Sequence, residues 1–222
     1  MTDLSENYRP PETASLQPVF EDDFLLAFDK PPGLLSVPGR GPGKSDCLSS
    51  RVQKAYPESR VVHRLDMETS GLMLFARDPE THRQLGHLFE TRAIQKTYIA
   101  VVLGQPQQEN GTIDAPVIAD WPNRPRQKID FENGKPSRTR FRLLRHSIGA
   151  NVSRLRLHPE SGRSHQLRVH LHYLGHPILG DPLYFESGSD QMAERLLLHA
   201  SRLEFKHPAS DQRLEISCPA PF

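Results

Sequence analysis

The chain has 222 residues and a formal net charge of +1, a length that suits one large α/β domain or two small lobes that share a cleft. A hydrophobic fraction of 36% and a charged fraction of 25% are those of a folded protein, which excludes disorder over most of the chain. No apolar run is long enough to cross a membrane, and two cysteines without metal-ligand spacing predict reduced thiols in a cytoplasmic protein.

The first part of the chain alternates between apolar runs and turn signals. Residues 1–17 are polar and rich in proline, do not resemble a signal peptide, and predict a flexible amino-terminal tail. Residues 24–39 predict a buried strand followed by a Pro-Pro-Gly turn, and residues 47–56 predict a short helix. Residues 61–66 (VVHRLD) predict a strand that ends at a charged residue, and residues 72–76 predict a second strand.

The remainder of the chain has longer periodic segments. Residues 79–91 predict a helix with proline in its first turn, and residues 95–104 a strand that glycine ends. Residues 151–159 alternate apolar and polar side chains, as a half-exposed strand does. Residues 165–174 predict a helix that Ser164 caps. Because strands and helices alternate without repeated βαβ units, we expect an α/β protein of the α+β type, with a mixed, largely antiparallel sheet flanked by helices.

The near-neutral net charge hides an uneven distribution of charged residues. Residues 122–145 carry eight basic and two acidic side chains, whereas residues 1–24 carry six acidic side chains and one basic side chain. A chain with this asymmetry can present a basic face to the phosphates of a nucleic acid. The same pattern also fits a solvated strand surface, and the charge run alone leaves both interpretations open.

Asp66 is the first candidate for a chemical role. It directly follows an apolar strand and precedes a turn, where active-site groups are often presented. An aspartate at this place can equally accept hydrogen bonds from the amides of the turn. The motifs in the surrounding sequence separate these two interpretations.

These motifs occur together in one enzyme family. The segment HRLDMETSG (63–71) resembles the HRLD-x-x-T-S-G signature of the RluA-type pseudouridine synthases. Other segments resemble further motifs of that family in the same order: DKPPG (29–33), KTY (96–98), GRSHQLRVH (162–170), GHPI (175–178), GD (180–181) and LHA (198–200). The resemblance extends over about residues 18–222.

The resemblance implies a pseudouridine synthase fold with a central RNA-binding cleft and one catalytic domain over residues 18–222. Members often carry an amino-terminal S4 domain, for which the early position of the DKPPG motif leaves no room. The implied activity is isomerisation of uridine to pseudouridine in structured RNA, without a cofactor, a metal, a membrane or a required protein partner. Residues 34–40 and 120–125 resemble a branch with dual specificity, which acts on a 23S ribosomal RNA (rRNA) loop and a tRNA anticodon stem-loop.

The same resemblance implies catalytic roles for Asp66, Tyr98 and Arg168. Asp66 matches the catalytic aspartate, whose carboxylate can attack the sugar or the base, or remove a proton. Tyr98 matches an active-site tyrosine that can stack on uracil and accept the proton of carbon 5, although an ordinary strand-core aromatic has the same spacing. Arg168 matches the arginine that pairs with the catalytic aspartate and keeps it ionised, although a solvated helix residue is the alternative.

Several basic residues are expected to bind the RNA. Arg64 resembles a residue that enters the RNA helix where the target base has flipped out, and a surface salt bridge is the alternative. The expected RNA-binding residues also include Arg124, Arg126, Lys128 and Arg163.

Two other functions remain open at this point. A metal-dependent RNA or phosphoester hydrolase could use the clustered histidines, but no HExxH motif or carboxylate at ligand spacing accompanies them, so structural histidines are favoured. A non-catalytic RNA-binding module would need the basic residues but not Asp66. Sensitivity to chelators would identify the first function, and tolerance of a neutral residue 66 the second. The clustered histidines are His165, His170, His172 and His176.

Overall fold

The chain divides into two compact units. The computed structural model describes residues 8–12, 16–185 and 192–222. Among these residues, every helix is too short or too polar to span a membrane. The first unit comprises Met1–Ile94 and Arg202–Pro219, and the second comprises Gln95–Ser201 and Ala220–Phe222. The catalytic domain predicted over residues 18–222 thus contains parts of both units.

The first unit is an antiparallel sheet with helices on its faces. Its elements are β1 (Pro18–Glu21), β2 (Leu25–Lys30), α1 (Leu48–Ala55), β3 (Arg60–Val61), β4 (Ser70–Ala76), α2 (Pro79–Glu90), the end of β11 (Leu198–Lys206) and β12 (Arg213–Ser217). The strand order is β1–β2–β4, and the short β3 also pairs with β4. The end of β11 pairs with β12.

Both faces of the central strands of this unit are buried. Leu25 of β2 lies in a core cluster with Leu85 of α2, whereas the next residue, Leu26, lies in a second cluster with Leu48 of α1. All seven residues of β4 are buried. A strand with a helix on each face has no solvent-exposed side, which explains the continuous apolar runs in the sequence.

The two helices of the first unit begin at capping side chains. The carboxylate of Asp78 accepts hydrogen bonds from the N–H groups of Glu80 and Thr81 at the start of α2. The thiol of Cys47 caps α1 in the same way. Both predicted helices are confirmed.

The second unit contains antiparallel strands, a hairpin and α3. Its elements are β5 (Gln95–Leu103), β6 (Asn110–Asp114), β7 (Val117–Ala119), a short 3-10 helix (Trp121–Asn123), β8 (Gln127–Ile129), β9 (Arg138–Ser147), β10 (Val152–Pro159), α3 (Gln166–Tyr173) and the start of β11. The strand order is β5–β10–β9–β6. Strands β7 and β8 form the separate hairpin.

In this unit α3 covers the core-facing side of the sheet. Leu155 and Leu157 of β10 are buried in one cluster with Leu167 and Leu171 of α3. Arg156, which lies between the two leucines on β10, is half-exposed. The predicted alternation of this strand is confirmed, as is the α+β fold with helices against antiparallel strands.

The strand predicted over residues 61–66 is wrong beyond Val61. The N–H of Leu74 in β4 donates to Nε2 of His63 (3.0 Å). The imidazole thus occupies the position in which a paired strand would place a carbonyl group. Residues 62–69 consequently form a loop that carries Asp66.

The predicted helix cap at Ser164 is also wrong. Helix α3 follows His165, which has a left-handed backbone (φ 53°) and makes no capping hydrogen bond through its side chain. The buried amide of Gln166 organises this turn instead, because its Oε1 accepts from the N–H of Arg163 (3.1 Å) and from the hydroxyl of Ser161 (2.8 Å).

The predicted flexible tail falls partly on residues 1–7 and 13–15, which lie outside the described residues. Two described residues of this segment are hydrogen bonded to the first unit. The Tyr8 hydroxyl donates to the carbonyl of Asp46 (2.8 Å), and the carbonyl of Pro11 accepts from Arg51 (3.0 Å).

Candidate active site

Asp66 lies in the loop that connects β3 to β4 and is half-buried. Its backbone carbonyl accepts a hydrogen bond from the N–H of Thr69 (3.1 Å). The turn is thus closed by main-chain atoms of the loop.

The residue before Asp66 is held by a buried serine. Oγ of Ser36 donates to the carbonyl of Leu65 (2.6 Å) and accepts from the N–H of the same residue (3.0 Å). Ser36 is only 4% exposed. One side chain therefore satisfies both main-chain groups of Leu65, which fixes the approach to Asp66.

The residue after Asp66 is held by a buried lysine. Nζ of Lys30, which is 0% exposed, donates to the carbonyls of Met67 (2.8 Å), Leu34 (2.7 Å) and Pro31 (2.9 Å). Three acceptors match the three donors of an ammonium group. Lys30 consequently ties the Asp66 loop to the turn that follows β2.

Sequence reasoning missed these two positioning residues. Ser36 gave no signal, because a serine in a loop is common and its contact partner is 29 positions away. Lys30 gave one signal, since this lysine of the DKPPG motif lies at the end of a buried strand, two positions after its apolar run, where a charge is expensive unless it is paired.

Arg64 lies in the same loop and is exposed. Its side chain makes no hydrogen bond or ion pair with any of the residues that the structure describes. This finding weakens the salt-bridge alternative and leaves the guanidinium available to a ligand.

Tyr98 lies on β5 in the second unit, opposite Leu157 of β10. It packs against the core cluster of that unit and is half-buried. A core role and a role at a reacting base therefore both remain compatible with its position.

Arg168 is not a solvated helix residue, so that alternative is wrong. It is 3% exposed, and its Nε and Nη2 donate to the two carboxylate oxygens of Asp181 (2.8 and 2.7 Å). The same carboxylate accepts from the N–H groups of Leu183 and Tyr184. Because a bidentate pair fixes the plane of the guanidinium, Asp181 determines how Arg168 is presented. The pairing of Arg168 with Asp66 stays a prediction.

The position of Asp181 is set in turn by Gly180. Gly180 has a left-handed backbone (φ 68°), and a Cβ atom there would collide with the carbonyl of Arg195. Glycine is the residue that tolerates both constraints.

Tyr184 joins α3 to the hairpin in the second unit. Its hydroxyl accepts from the N–H of Gln127 (2.7 Å) and is hydrogen bonded to Nδ1 of His165 (2.8 Å). The guanidinium carbon of Arg126 lies 5.4 Å from the centre of its ring. Tyr184 is 2% exposed, so it anchors the base of the hairpin to the interior of the unit.

The predicted phosphate-binding residues are mostly exposed. Arg124, Lys128 and Arg163 are exposed, and Arg126 is half-buried. Lys128 lies 3.5 Å from Asp130. These side chains can reach an external phosphate more readily than a buried cation can.

Part of the basic stretch is already neutralised within the protein. On β9, Arg138 is paired with Asp114 (2.5 Å), and Arg140 is paired with Glu160 (2.9 Å). Arg142, two residues further along β9, is exposed and has no ion pair with any described residue. Fewer of the basic side chains in residues 122–145 are therefore available to phosphates than the sequence indicates.

Of the clustered histidines, His165, His170 and His176 make hydrogen bonds within the protein. Buried His170 lies 2.9 Å from the hydroxyl of Thr139 through Nδ1 and 2.9 Å from the carbonyl of Ala115 through Nε2. His176 bonds through Nδ1 to the carbonyl of Leu103 (2.9 Å). Such bonds are what the structural interpretation of this cluster predicts.

Cys218 is a thiol rather than a thiolate at neutral pH. Burial raises the pKa of Cys218 to about 12, and the charge of Asp29 and a hydrogen bond with it act in the same direction. A thiol in this environment is a poor nucleophile.

Known proteins match the chain over most of its length. A family model described as RNA pseudouridylate synthase matches residues 24–173. The dual-specificity RNA pseudouridine synthase RluA of Vibrio vulnificus (strain CMCP6) is 48% identical over 218 residues, which cover 97% of this chain and 87% of the relative. The protein of the same name from Escherichia coli (strain K12) is 45% identical over 217 residues, which cover 98% and 99%. Among solved structures, human RNA pseudouridylate synthase domain containing 1 has a TM-score of 0.81 and 30% identity, and the match covers 96% of this chain and 87% of that one.

Proposed function

Because the chain belongs to the RNA pseudouridylate synthase family, we propose that this enzyme converts uridine to pseudouridine in a 23S rRNA loop and in a tRNA anticodon stem-loop. Its relatives are dual-specificity RNA pseudouridine synthases by name. The observation that carries the proposal is the Asp66 loop, in which Ser36 and Lys30 hold the residues on both sides of the carboxylate.

Asp66 is the catalytic carboxylate of this proposal. The reaction breaks the bond between N1 of uracil and C1′ of ribose, rotates the base and joins C5 to C1′. C5 loses its proton and N1 takes one up, so the atoms of uridine and pseudouridine are the same. A carboxylate can attack the sugar or the base covalently, or remove a proton. Each of these steps requires a nucleophile or base that is held in position. Lys30 and Ser36 hold Asp66 in position, because they restrict the backbone on both sides of it.

Tyr98 and Arg168 support this chemistry in the proposal. The ring of Tyr98 stacks on uracil, and its hydroxyl accepts the C5 proton. Arg168 is the cationic partner of the Asp66 carboxylate in the proposal, because a cation stabilises the charged form of a carboxyl group. The bidentate contact with Asp181 holds the Arg168 guanidinium in one orientation for this task.

Binding of the RNA is assigned to exposed cations. Arg64 fills the gap that the flipped uridine leaves, since its guanidinium is exposed and has no ion pair among the described residues. Arg124, Arg126, Lys128 and Arg163 contact phosphates.

The proposal includes no cofactor, metal or obligatory protein partner, because isomerisation involves no net change in electrons. It places the enzyme in the cytoplasm, where its two cysteines, which are buried and not joined in a disulfide, stay reduced.

The test is tritium release from RNA labelled at C5 of uridine, because the C5 hydrogen is lost when C5 bonds to C1′. We expect Asp66→Asn to reduce the rate at least about 1,000-fold, as loss of a catalytic group does, with RNA affinity within a few fold. Asp211→Asn is the matched control, because Asp211 is exposed and its left-handed backbone (φ 55°) also suits asparagine. Turnover by Asp66→Asn at the rate of the control would disprove the proposal. Mapping pseudouridine in total RNA with and without the enzyme identifies the uridines.

A further inference from the structure

Trp121 is a large aromatic residue on the surface of the second unit. It is the only tryptophan of the chain, and it is 65% exposed in the short 3-10 helix between β7 and β8. Burial of a tryptophan side chain stabilises the folded state considerably, because the side chain has a large apolar surface. Its exposure therefore requires an explanation, and neither the catalytic chemistry nor phosphate binding supplies one.

The loop around Trp121 has a defined structure. The N–H of Asp120 donates to the carbonyl of Arg126 (2.9 Å), and the N–H of Asn123 donates to the carbonyl of Asp120 (3.0 Å). Gln127, at the end of the loop, donates its N–H to the hydroxyl of the buried Tyr184 (2.7 Å). Trp121 is consequently presented by an ordered hairpin loop that is anchored in the interior of the unit.

A cation lies directly on the indole ring. The guanidinium carbon of Arg124 is 3.2 Å from the centre of the Trp121 ring. Since the side chain is still 65% exposed, Arg124 leaves room on the ring for another planar group. The half-buried carboxylate of Asp120 accepts from the side-chain amide of Asn123 (2.9 Å). Residues 121–125 are exposed, so the loop tip presents an aromatic ring and a cation to the solvent.

We propose that Trp121 and Arg124 form a stacking platform for an unpaired base of the substrate RNA, in addition to the uridine that reacts. The inference rests on the proposed function and names a further contact for its substrate. An aromatic ring with a guanidinium against it suits nucleobases, because every base has a π-face and its phosphates attract the cation. Bases inside a duplex are stacked on one another, so the platform selects single-stranded loops.

Trp121 itself reports on this contact, because it is the only tryptophan of the chain. The Asp66→Asn enzyme is titrated with an RNA stem-loop that contains uridine in its loop, and tryptophan emission is recorded. We expect strong quenching at saturation with the stem-loop. A fully paired duplex of the same length should bind through its phosphates and quench far less.

Substitutions separate stacking from charge. We expect Trp121→Ala to weaken stem-loop binding about tenfold, since stacking of one base is worth about 1–3 kcal/mol, whereas Trp121→Phe should stay within about threefold. The slope of log affinity against log salt should not change in Trp121→Ala, because no phosphate contact is lost. The matched control is Phe131→Ala, because Phe131 is another aromatic residue of this unit and is 67% exposed.

Three results would overturn the platform: unchanged emission at RNA saturation, wild-type affinity of Trp121→Ala with only a lower melting temperature, or an equal loss of affinity in Phe131→Ala. If the wild type forms pseudouridine while the emission stays unchanged, the platform is wrong and the proposed function stands. If the emission is quenched by RNA in which the wild type forms no pseudouridine, the platform is supported and the proposed function is wrong.

Discussion

The two units organise their interiors around different buried polar side chains. In the first unit, Lys30 donates to three backbone carbonyls. In the second unit, His170 lies against one carbonyl and one hydroxyl. The first arrangement needs the three donors of an ammonium group, whereas the second suits a neutral imidazole, because a carbonyl accepts one N–H and a hydroxyl donates to the other nitrogen.

Buried polar side chains thus serve two purposes in this chain, the positioning of a candidate catalytic loop and the stabilisation of one unit. Lys30 joins the segment after β2 to the loop of a candidate catalytic residue, so its removal should affect catalysis. His170 joins α3 to the β-strands of its own unit, through Thr139 of β9 and Ala115 after β6, so changes there should affect stability and respond to pH.

The largest expected effect comes from Lys30→Met, which removes the ammonium group that donates to three buried or partly buried carbonyls. Each unsatisfied acceptor costs about 1–3 kcal/mol, so we expect the free energy of unfolding to fall by at least about 3 kcal/mol. Because Met67 is released, we also expect kcat to fall about 100-fold, with RNA affinity within a few fold. Urea denaturation and single-turnover rates measure the two effects.

Lys54→Met is the control for this substitution, because Lys54 is an exposed lysine in the last turn of α1. A Lys30→Met enzyme that loses stability but keeps the wild-type kcat would show that Lys30 does not position Asp66. The contrast between the two units would then be wrong.

An intermediate effect on the free energy of unfolding is expected at His170 when the pH is lowered. Burial lowers the pKa of His170. Below the ordinary value of about 6.5, the unfolded chain binds a proton that the folded chain does not, so the stability contributed by the neutral form is lost as the pH falls from about 6.5 towards the lowered pKa. The loss is at most about 1.4 kcal/mol per pH unit.

The variant His170→Asn removes this titration. Urea denaturation at neutral and mildly acidic pH should show that the stability difference between wild type and variant shrinks as the pH falls. His87→Asn is the control, because His87 is exposed on α2. A difference that stays constant over this range would mean that His170 does not titrate differently in the folded and unfolded states.

The smallest expected effect distinguishes two arginines on the surface of β9. Arg142→Gln should lower the slope of log affinity against log salt by about 0.7–0.9, because one phosphate contact is lost. Arg138→Gln should lower it less, since Arg138 is already paired with Asp114. Filter binding at several salt concentrations measures both slopes, and equal slopes would show that internal ion pairs do not reduce phosphate binding.

Much of the fold was predictable because local sequence and tertiary packing agree. Helix α2 has proline, a capping aspartate and an apolar stripe, and it forms over the predicted residues. The strand predicted over residues 61–66 is wrong beyond Val61 because a side chain from the loop itself, His63, accepts from the N–H group of Leu74 that would have extended the ladder. Hydrogen-bond competition of this kind leaves no periodic signal.

The candidate site was predictable only in part for a similar reason. The HRLD motif identified Asp66, but the contacts of Ser36 with Leu65 and of Arg168 with Asp181 join positions 29 and 13 residues apart. No spacing rule for helices or strands connects such pairs. The exposure of Trp121 was equally hidden, because an apolar residue in a sequence predicts burial rather than display.

Gly180 has a consequence for how this protein can change over evolutionary time. A side chain at Gly180 would meet the carbonyl of Arg195, whereas a Cβ atom at Gly149 would meet nothing within 4 Å. Substitutions should therefore be rejected at Gly180 and tolerated at Gly149. Since Gly180 directly precedes the partner of Arg168, selection for backbone geometry and selection for catalysis should act together on this dipeptide.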